Sequence, residues 1–205
     1  MKIGILGGTG RMGRGLARGY AAVGHEVFLG SRSAERAAEA AAEQGGAVSG
    51  GSLAQAAELG EMVVLAVPFS DAVATLEPLE DSLAGKIIID ITNPFGAVPP
   101  GQVAGIEHNS RAATRARWVA AYKTTFWKTL DEPGGPGGQS LDVFVCSQDE
   151  EAKRSVMDLI TQTGFRAIDC GGNENARTLD LMVPLMIELD GRHQGEARTS
   201  WKFLD

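Results

Sequence analysis

Short apolar runs alternate with amphipathic stretches along the first half of the chain. The run Lys2–Leu6 predicts a buried strand, and glycines and a helical pattern from Arg11 to Val23 follow it. Further strands are predicted at Glu26–Leu29, Met62–Val67 and Lys86–Ile91, and further helices at Ala34–Gln44, from a Ser52–Gln55 capping box to Gly60, and at Ser70–Leu83. Because Met62–Val67 is nearly all apolar, both faces of that strand should be covered. The alternation predicts βαβ units and a parallel sheet.

The second half of the chain is less regular. Strands are predicted at Trp118–Tyr122, Leu141–Cys146 and Phe165–Asp169, loops at Asn93–Gly105 and Glu132–Gly138, and a second capping box at Ser147–Glu150. A last helix carries an apolar stripe of Leu179, Met182, Val183, Met186 and Ile187, with a second apolar row of Leu181, Leu185 and Leu189 beside it. One core needs only one stripe. The second row therefore predicts a homodimer, unless a single chain buries both sides of the helix.

Composition narrows the class of protein. The 205 residues are 43% hydrophobic and 22% charged, which is typical of a globular chain. The net charge of −7 and the lack of a basic stripe argue against partners such as nucleic acid or an anionic membrane surface. The chain reaches Gly4 and Gly7 too early for a signal peptide, and Cys146 and Cys170 show no metal-ligand spacing. We therefore expect a cytoplasmic protein that is not inserted in a membrane.

A glycine motif marks the first strand-to-helix turn. The segment Gly8-Thr9-Gly10-Arg11-Met12-Gly13 has GxGxxG spacing directly after the first predicted strand, where this motif is specific for dinucleotides. Gly8 permits the tight turn, Gly10 lets the backbone approach a pyrophosphate, and Gly13 lets the helix pack on the strand. The helix N-terminus then offers unpaired N–H groups to the phosphates. A purely structural glycine turn is the alternative.

The end of the second strand distinguishes NADP from NAD. NAD sites place Asp or Glu there, whereas this strand ends in Gly30-Ser31-Arg32. A hydroxyl and a guanidinium suit the 2′-phosphate of NADP, and Arg36 can close the same pocket. The alternative is a capping serine beside solvated arginines.

These segments together resemble the F420-dependent NADP reductases, a family related to the NADPH domain of transmembrane ferric reductases. The similarity rests on Gly7–Ala17, Gly24–Val27 and Gly30–Arg32, and continues in Leu65–Pro68, Asp90–Pro94 and Trp201–Leu204. It implies a Rossmann-like doubly wound parallel sheet with a small C-terminal α/β extension. Residues 1–122 would bind NADP and residues 123–205 would form a substrate and dimerisation region, or the whole chain would be one continuous domain.

The resemblance also implies roles for individual residues. Thr9, Arg11 and Met12 would contact the pyrophosphate side, Ser31, Arg32 and Arg36 the 2′-phosphate, and Val67 and Pro68 the nicotinamide end. Asn93 is also expected to bind the cofactor, and its loop would approach the cleft over the nicotinamide. Lys123 and Thr124 would approach the second substrate. At Lys123 the family tends to show His or Asn, so this lysine either meets an anionic substrate or is a solvated strand end.

The implied activity is hydride transfer between NADP(H) and a planar small-molecule acceptor, coenzyme F420 or a flavin. We predict no catalytic side chain and no metal site. The chain lacks a Tyr-x-x-x-Lys pair, its three histidines lack partners at ligand spacing, and hydride transfer needs neither, since the cofactor carries the chemistry. Two alternatives are a reductase of a small imine or carbonyl compound and a non-catalytic NADPH-sensing module.

Overall fold

A six-stranded parallel sheet organises the protein, and a computed structural model describes it for residues 1–95, 104–135 and 138–204. Its strands are β1 (Lys2–Leu6), β2 (Glu26–Ser31), β3 (Val48–Ser52), β4 (Met62–Leu65), β5 (Ile87–Asp90) and β6 (Arg117–Ala120). They lie in the order β3-β2-β1-β4-β5-β6. Strands are therefore added outwards from β1 to β3 on one side, and then outwards from β4 to β6 on the other side of β1. The predicted Rossmann-like fold is confirmed, and this change of side places a crevice at the carboxyl ends of β1 and β4.

Helices cover both faces of the sheet. They are α1 (Arg11–Ala22), α2 (Ala34–Gln44), α3 (Leu53–Leu59), α4 (Phe69–Leu76), α5 (Glu80–Leu83), α6 (Gly105–Asn109), α7 (Glu150–Gln162) and α8 (Asn173–Arg192). The single helix predicted over residues 70–83 is wrong. It divides into α4 and α5 around a 3₁₀ turn at Glu77–Leu79 that contains Pro78, which lacks the N–H that a continuous helix would use.

Strand residues alternate between two apolar cores, one on each face of the sheet. On β4, Val64 belongs to the core on one face, whereas its neighbours Val63 and Leu65 belong to the core on the other. The first core also contains Val143 and Val156, from beyond residue 122. Both regions of the chain therefore share one core, and the functional division at residue 122 stays a prediction.

A smaller parallel sheet follows the main one. It consists of β7 (Asp142–Val145) and β8 (Arg166–Asp169), and an antiparallel bridge between Ala120 and Cys146 joins it to β6. The C-terminal tail docks on this sheet through the buried Asp142, which accepts hydrogen bonds from Lys202 Nζ at 2.8 Å and Phe203 N at 2.7 Å. Burial alone would raise the pKa of Asp142, but the bonds from Arg166 and Lys202 outweigh it and lower the pKa to about 2.

Two helix starts test the predicted capping boxes. The first is confirmed: Ser52 Oγ accepts from Gln55 N, and the Gln55 side chain accepts from Ser52 N. The second is wrong, because Asp149 rather than Ser147 caps α7 by accepting from Ala152 N at 2.9 Å. Ser147 Oγ instead donates to Trp118 O and accepts from Asp149 N, so it joins β6 to the turn before α7.

Some predicted segments differ from the structure or fall outside it. Strand β3 was not predicted. The predicted loop Asn93–Gly105 falls mostly on residues 96–103 and the loop Glu132–Gly138 includes residues 136 and 137, which lie outside the described residues. Within the described ranges, no helix has the length and apolar character needed to cross a membrane.

Candidate functional site

The glycine loop between β1 and α1 is held tightly against its surroundings. The N–H groups of Gly7 and Gly8 both donate to Gly30 O, at 2.9 and 3.1 Å. A Cβ on Gly8 would lie 2.8 Å from Leu29 Cβ, and a Cβ on Gly13 would lie 2.8 Å from Gly8 Cα. Both distances are shorter than real contacts, so glycine is required at these two positions by packing within the chain.

Gly10 differs from its neighbours. It is the N-cap of α1 with φ −73° and ψ 166°, a conformation open to any residue. Among the described residues, the nearest atom to a Cβ on Gly10 would be Gly7 O, at 3.4 Å. Nothing in the described part of the fold demands glycine here, so the space that a side chain would fill is open to a ligand. This is the cradle that a pyrophosphate needs at a helix N-terminus.

A groove crosses the carboxyl ends of β1, β2, β4 and β5. It consists of two cavities of about 420 and 380 Å³ that share Ala66, Val67, Pro68 and Ser70 as lining residues. The larger is lined by predicted site residues Thr9, Gly10, Ser31 and Arg32, and the smaller by Met12 and Asn93, with Val67 and Pro68 common to both. The structure thus brings eight predicted residues, from separate segments of the chain, to one continuous surface.

The larger cavity ends in a positive group. The Arg32 side chain is 86% exposed, and its Nη1 lies 3.9 Å from Asp71 Oδ2 on α4. Such an exposed pair is worth little, so the guanidinium can exchange Asp71 for a phosphate at small cost. Ser31 lies beside it at the end of β2, where its Oγ accepts from Ser33 N at 3.3 Å. These groups fit a 2′-phosphate.

Two predicted arginines lie apart from the groove lining. The Arg11 guanidinium stacks over the ring of Trp127, 5.1 Å from its centroid, at the start of α1. Arg36 lies on α2, and its backbone N–H donates to Ser33 Oγ. Their assignments to the pyrophosphate and the 2′-phosphate remain predictions.

The smaller cavity is mostly apolar, with one polar group that lacks a partner. Met12, Val67 and Ile91 line it together with Asn93. Asn93 Nδ2 donates to Lys123 O at 3.0 Å, but its buried Oδ1 has no hydrogen-bond partner among the described residues. An unpaired buried acceptor is costly, and an amide N–H of a ligand would satisfy it. This end of the groove therefore fits a nicotinamide, whose carboxamide supplies such a donor.

Lys123 and Thr124 are buried rather than exposed to the groove. Each is 2% exposed, so the interpretation of Lys123 as a solvated strand end is wrong, and contact of either side chain with a second substrate is not what this geometry provides. Lys123 Nζ lies 3.6 Å from Asp90 Oδ1 and 3.3 Å from Asp180 Oδ1. Burial raises the pKa of Asp180 in spite of Lys123 beside it.

Sequence reasoning missed this cluster of charges. A signal was present, because Asp90 ends the apolar strand β5 and Asp180 follows Leu179 on the apolar side of α8. A carboxylate among core residues requires a buried partner. No local pattern identifies that partner as Lys123.

Comparisons with known proteins identify the family of this chain. A family described as coenzyme F420-dependent NADP oxidoreductase matches residues 2–94. The F420-dependent NADP reductase of Methanocaldococcus jannaschii is 34% identical over 96% of this chain and 95% of its own length. The crystal structure of an Arthrobacter sp. FB24 protein, assigned as an F420-dependent NADP reductase, matches all of both chains with a TM-score of 0.88 and 30% identity.

More distant matches share only part of their length or only the fold with this chain. The metalloreductase STEAP3 of Rattus norvegicus is 29% identical over 91% of this chain but only 37% of its own length, which confirms the predicted link to ferric reductases. An imine reductase from Streptomyces aurantiacus, at 20% identity and a TM-score of 0.68, shares the fold alone. Since the near relatives match from end to end, the chain belongs to the F420-dependent NADP reductase family.

Proposed function

We propose that this protein binds NADP(H) in the groove and transfers hydride between its nicotinamide and coenzyme F420. The observation that carries the proposal is the continuity of the groove. It runs from the exposed Arg32, past the open cradle at Gly10, to the unpaired Oδ1 of Asn93. The names of the near relatives supply the identity of the acceptor.

Each end of the groove has a separate task. Ser31 and Arg32 would hold the 2′-phosphate, and the free N–H groups in the first turn of α1 would hold the pyrophosphate. Asn93 Oδ1 would accept a hydrogen bond from the carboxamide and so fix the orientation of the nicotinamide. When bound, the cofactor supplies the hydride. The chain's own residues orient the ring and exclude water with Val67, Pro68 and Ile91.

The lining of the smaller cavity supports a planar acceptor. Its described lining residues are apolar or neutral, and they include Phe69, Pro94 and Phe95 beside the nicotinamide end. A reductase of a carbonyl compound must also deliver a proton to the product oxygen, for which this described lining provides no Asp, Glu, His, Lys or Tyr. A deazaflavin or flavin ring stacked on the nicotinamide therefore suits the cavity better than a small imine or carbonyl compound.

An anaerobic assay of NADPH oxidation tests the activity. We expect F420 to be reduced fastest in a panel that also contains FMN, ferric chelates and cyclic imines. Faster turnover of an imine would favour the alternative reductase. Tight NADPH binding without turnover of any acceptor would refute hydride transfer and favour the sensing module.

We also propose a homodimer that forms through α8. Leu181 and Leu185 are 57% and 51% exposed and lie one turn apart on the outer face of this helix. Ile187, predicted to belong to the buried stripe, is 44% exposed, whereas Leu179, Val183 and Met186 are buried as predicted. An exposed apolar row on one helix favours burial against a second copy.

Sedimentation equilibrium tests the dimer. We expect a mass near twice 21.5 kDa, and Leu185→Asp should shift it towards the monomer because the new carboxylate would be buried in the interface. Leu185→Gln introduces a polar but uncharged side chain and should have a smaller effect. A monomer at all micromolar concentrations would refute the interface.

The two cysteines bear on where the protein works. Cys146 and Cys170 follow paired positions of β7 and β8, yet both are free thiols. We propose a cytoplasmic location, since neighbouring thiols persist in a reducing compartment.

A further inference from the structure

Three buried charges lie behind the wall of the smaller cavity. The side chains of Lys123, Asp90 and Asp180 are 1%, 0% and 2% exposed. They come from the loop after β6, from the end of β5 and from α8. Burying charges carries a desolvation penalty that apolar residues of the same size would not require. The cluster therefore calls for an explanation other than stability.

Lys123 holds the cavity wall at two points. Its Nζ donates a hydrogen bond to Thr92 O, and its own carbonyl oxygen accepts from Asn93 Nδ2 at 3.0 Å. With Nδ2 occupied in this way, Asn93 Oδ1 is the atom left without a partner among the described residues. The contacts of Lys123 thus determine which end of the Asn93 amide is paired and which end is left without a partner behind the groove lining.

The carboxylates anchor Lys123 to the rest of the fold. Asp90 accepts from Thr92 N at 2.8 Å and from Asn109 Nδ2 at 3.0 Å, and Asp180 Oδ2 accepts from Gly105 N at 2.9 Å. Asp90 Oδ2 and Asp180 Oδ2 are thus occupied by these bonds and do not face Nζ. Asp90 Oδ1 both accepts from Thr92 N and faces Nζ. The ammonium therefore sits between two anchored acceptors and cannot shift without breaking several bonds.

Backbone strain lies next to the same residue. Tyr122 has φ +55°, a left-handed conformation that is unfavourable for a bulky side chain. Strain of this kind persists where the surrounding contacts over-determine it, and it concentrates at functional positions. Here it directs the chain so that both the carbonyl and the side chain of Lys123 meet the segment Thr92–Asn93.

We propose that Lys123 is a positioning residue for the nicotinamide, which it orients through Asn93. The inference rests on the proposed function, and it adds a residue that never touches the cofactor. Loss of the ammonium releases Thr92 O and leaves the adjoining Asn93 held only by the Lys123 carbonyl, so the carboxamide acceptor is less well preorganised. The nucleotide then keeps its phosphate contacts, but its nicotinamide ring is no longer held in one orientation.

Calorimetric binding of two ligands tests this role without turnover. NADP⁺ contains the nicotinamide, whereas 2′-phospho-ADP-ribose has the phosphates without it. We expect Lys123→Met to weaken NADP⁺ binding about tenfold, the loss of one buried hydrogen bond, and to leave 2′-phospho-ADP-ribose within about twofold. Lys153→Met is the matched control, because Lys153 is also 2% exposed and pairs with two carboxylates, Glu150 and Asp169, away from the groove. It should leave both affinities unchanged.

A double-mutant cycle tests the route through Asn93. Asn93→Ala should reproduce the selective loss of NADP⁺ affinity, and Lys123→Met should add little in the Asn93→Ala background. If Lys123→Met fails to fold, Lys123→Met/Asp180→Asn replaces it, since that pair removes one positive and one negative charge and preserves the net charge of the cluster. Circular dichroism confirms the fold of each variant.

The outcomes separate the two proposals. If the unmodified protein binds neither nucleotide, the proposed function is refuted, and the role of Lys123 with it. If it binds both, and the folded Lys123 variants lose both equally or lose neither, the positioning role alone is overturned. Additive losses from Lys123→Met and Asn93→Ala would likewise overturn the route through Asn93.

Discussion

Replacing Gly10 by valine should separate cofactor binding from folding. The residue caps α1 in an extended conformation at φ −73°, and a Cβ there would contact only Gly7 O, at 3.4 Å, among the described atoms. The chain therefore accommodates a Cβ at this position, and we expect the γ-methyl groups to extend into the open groove. Valine is a poorer N-cap than glycine, but it also restricts the unfolded chain more, and these two effects oppose one another. We expect the free energy of unfolding to change by less than about 1 kcal/mol.

Binding should respond very differently. The isopropyl group would occupy the space through which a pyrophosphate reaches the N–H groups of the first turn of α1. Charge-assisted hydrogen bonds contribute about 1.5–3 kcal/mol each, so the loss of two costs about 3–6 kcal/mol. That corresponds to a weakening of NADPH binding by a factor of about 10² to 10⁴.

Gly24→Ala provides the opposite control. Gly24 precedes β2 at φ +90° with open space around its Cα among the described residues, so alanine there meets backbone strain of about 1–2 kcal/mol and no groove residue. Thermal unfolding should show a loss for Gly24→Ala and little change for Gly10→Val, and fluorescence titration with NADPH should show the reverse. A folded Gly10→Val protein with NADPH affinity within about threefold of the unmodified protein would refute the cradle.

The remaining predictions concern the 2′-phosphate end of the groove and the contact of the C-terminal tail with Asp142. Arg32→Ala should weaken NADPH binding at least about tenfold, because it removes a charge-assisted hydrogen bond to the 2′-phosphate, and should leave NADH binding nearly unchanged. The fold should not suffer, since the side chain is 86% exposed and loses only a loose pair with Asp71. Equal losses measured for the two cofactors would contradict the 2′-phosphate assignment. Asp142 has its pKa lowered to about 2, so its bonds to Arg166 and Lys202 stabilise the folded state above its unfolded pKa of about 3.9 and are lost as the pH falls towards 2. The difference in unfolding free energy between the unmodified protein and Asp142→Asn should therefore shrink by about 2 kcal/mol between about pH 5 and pH 2; a difference independent of pH would show that the tail contact is not ionic.

The Rossmann half was predictable because its signals are local. Apolar runs at Met62–Leu65 and Ile87–Asp90, with glycines directly after β1, specify strands and the first turn without reference to distant residues. Strand β3 was missed because Val-Ser-Gly-Gly-Ser shows no apolar alternation. Its glycines have a tertiary cause: a Cβ on Gly50 would lie 2.1 Å from Ala37 O, so α2 packs directly on the strand backbone.

The site residues also divide into those that local sequence signals predict and those that depend on tertiary packing. Ser31, Arg32, Val67 and Asn93 lie at or just after strand ends. Parallel strands bring their carboxyl ends to one edge, so strand order alone assembles these residues. Lys123 follows a strand end as well, but one of its carboxylate partners, Asp180, lies on α8 and is itself held by Gly105 N at the start of α6. Packing of those helices decides whether the ammonium meets solvent, substrate or carboxylates, and no spacing in the sequence records that packing.

The buried cluster also joins the regions on either side of residue 122. Asp90 belongs to residues 1–122, whereas Lys123 and Asp180 belong to residues 123–205. Asp90 would be left in the core without its counter-charge if the second region were absent, which is the costly half of a buried ion pair. Asn93 would also lose the carbonyl that orients its amide. The C-terminal region therefore supports the Asn93 end of the groove from behind, in addition to any part that it takes in dimer formation or acceptor binding.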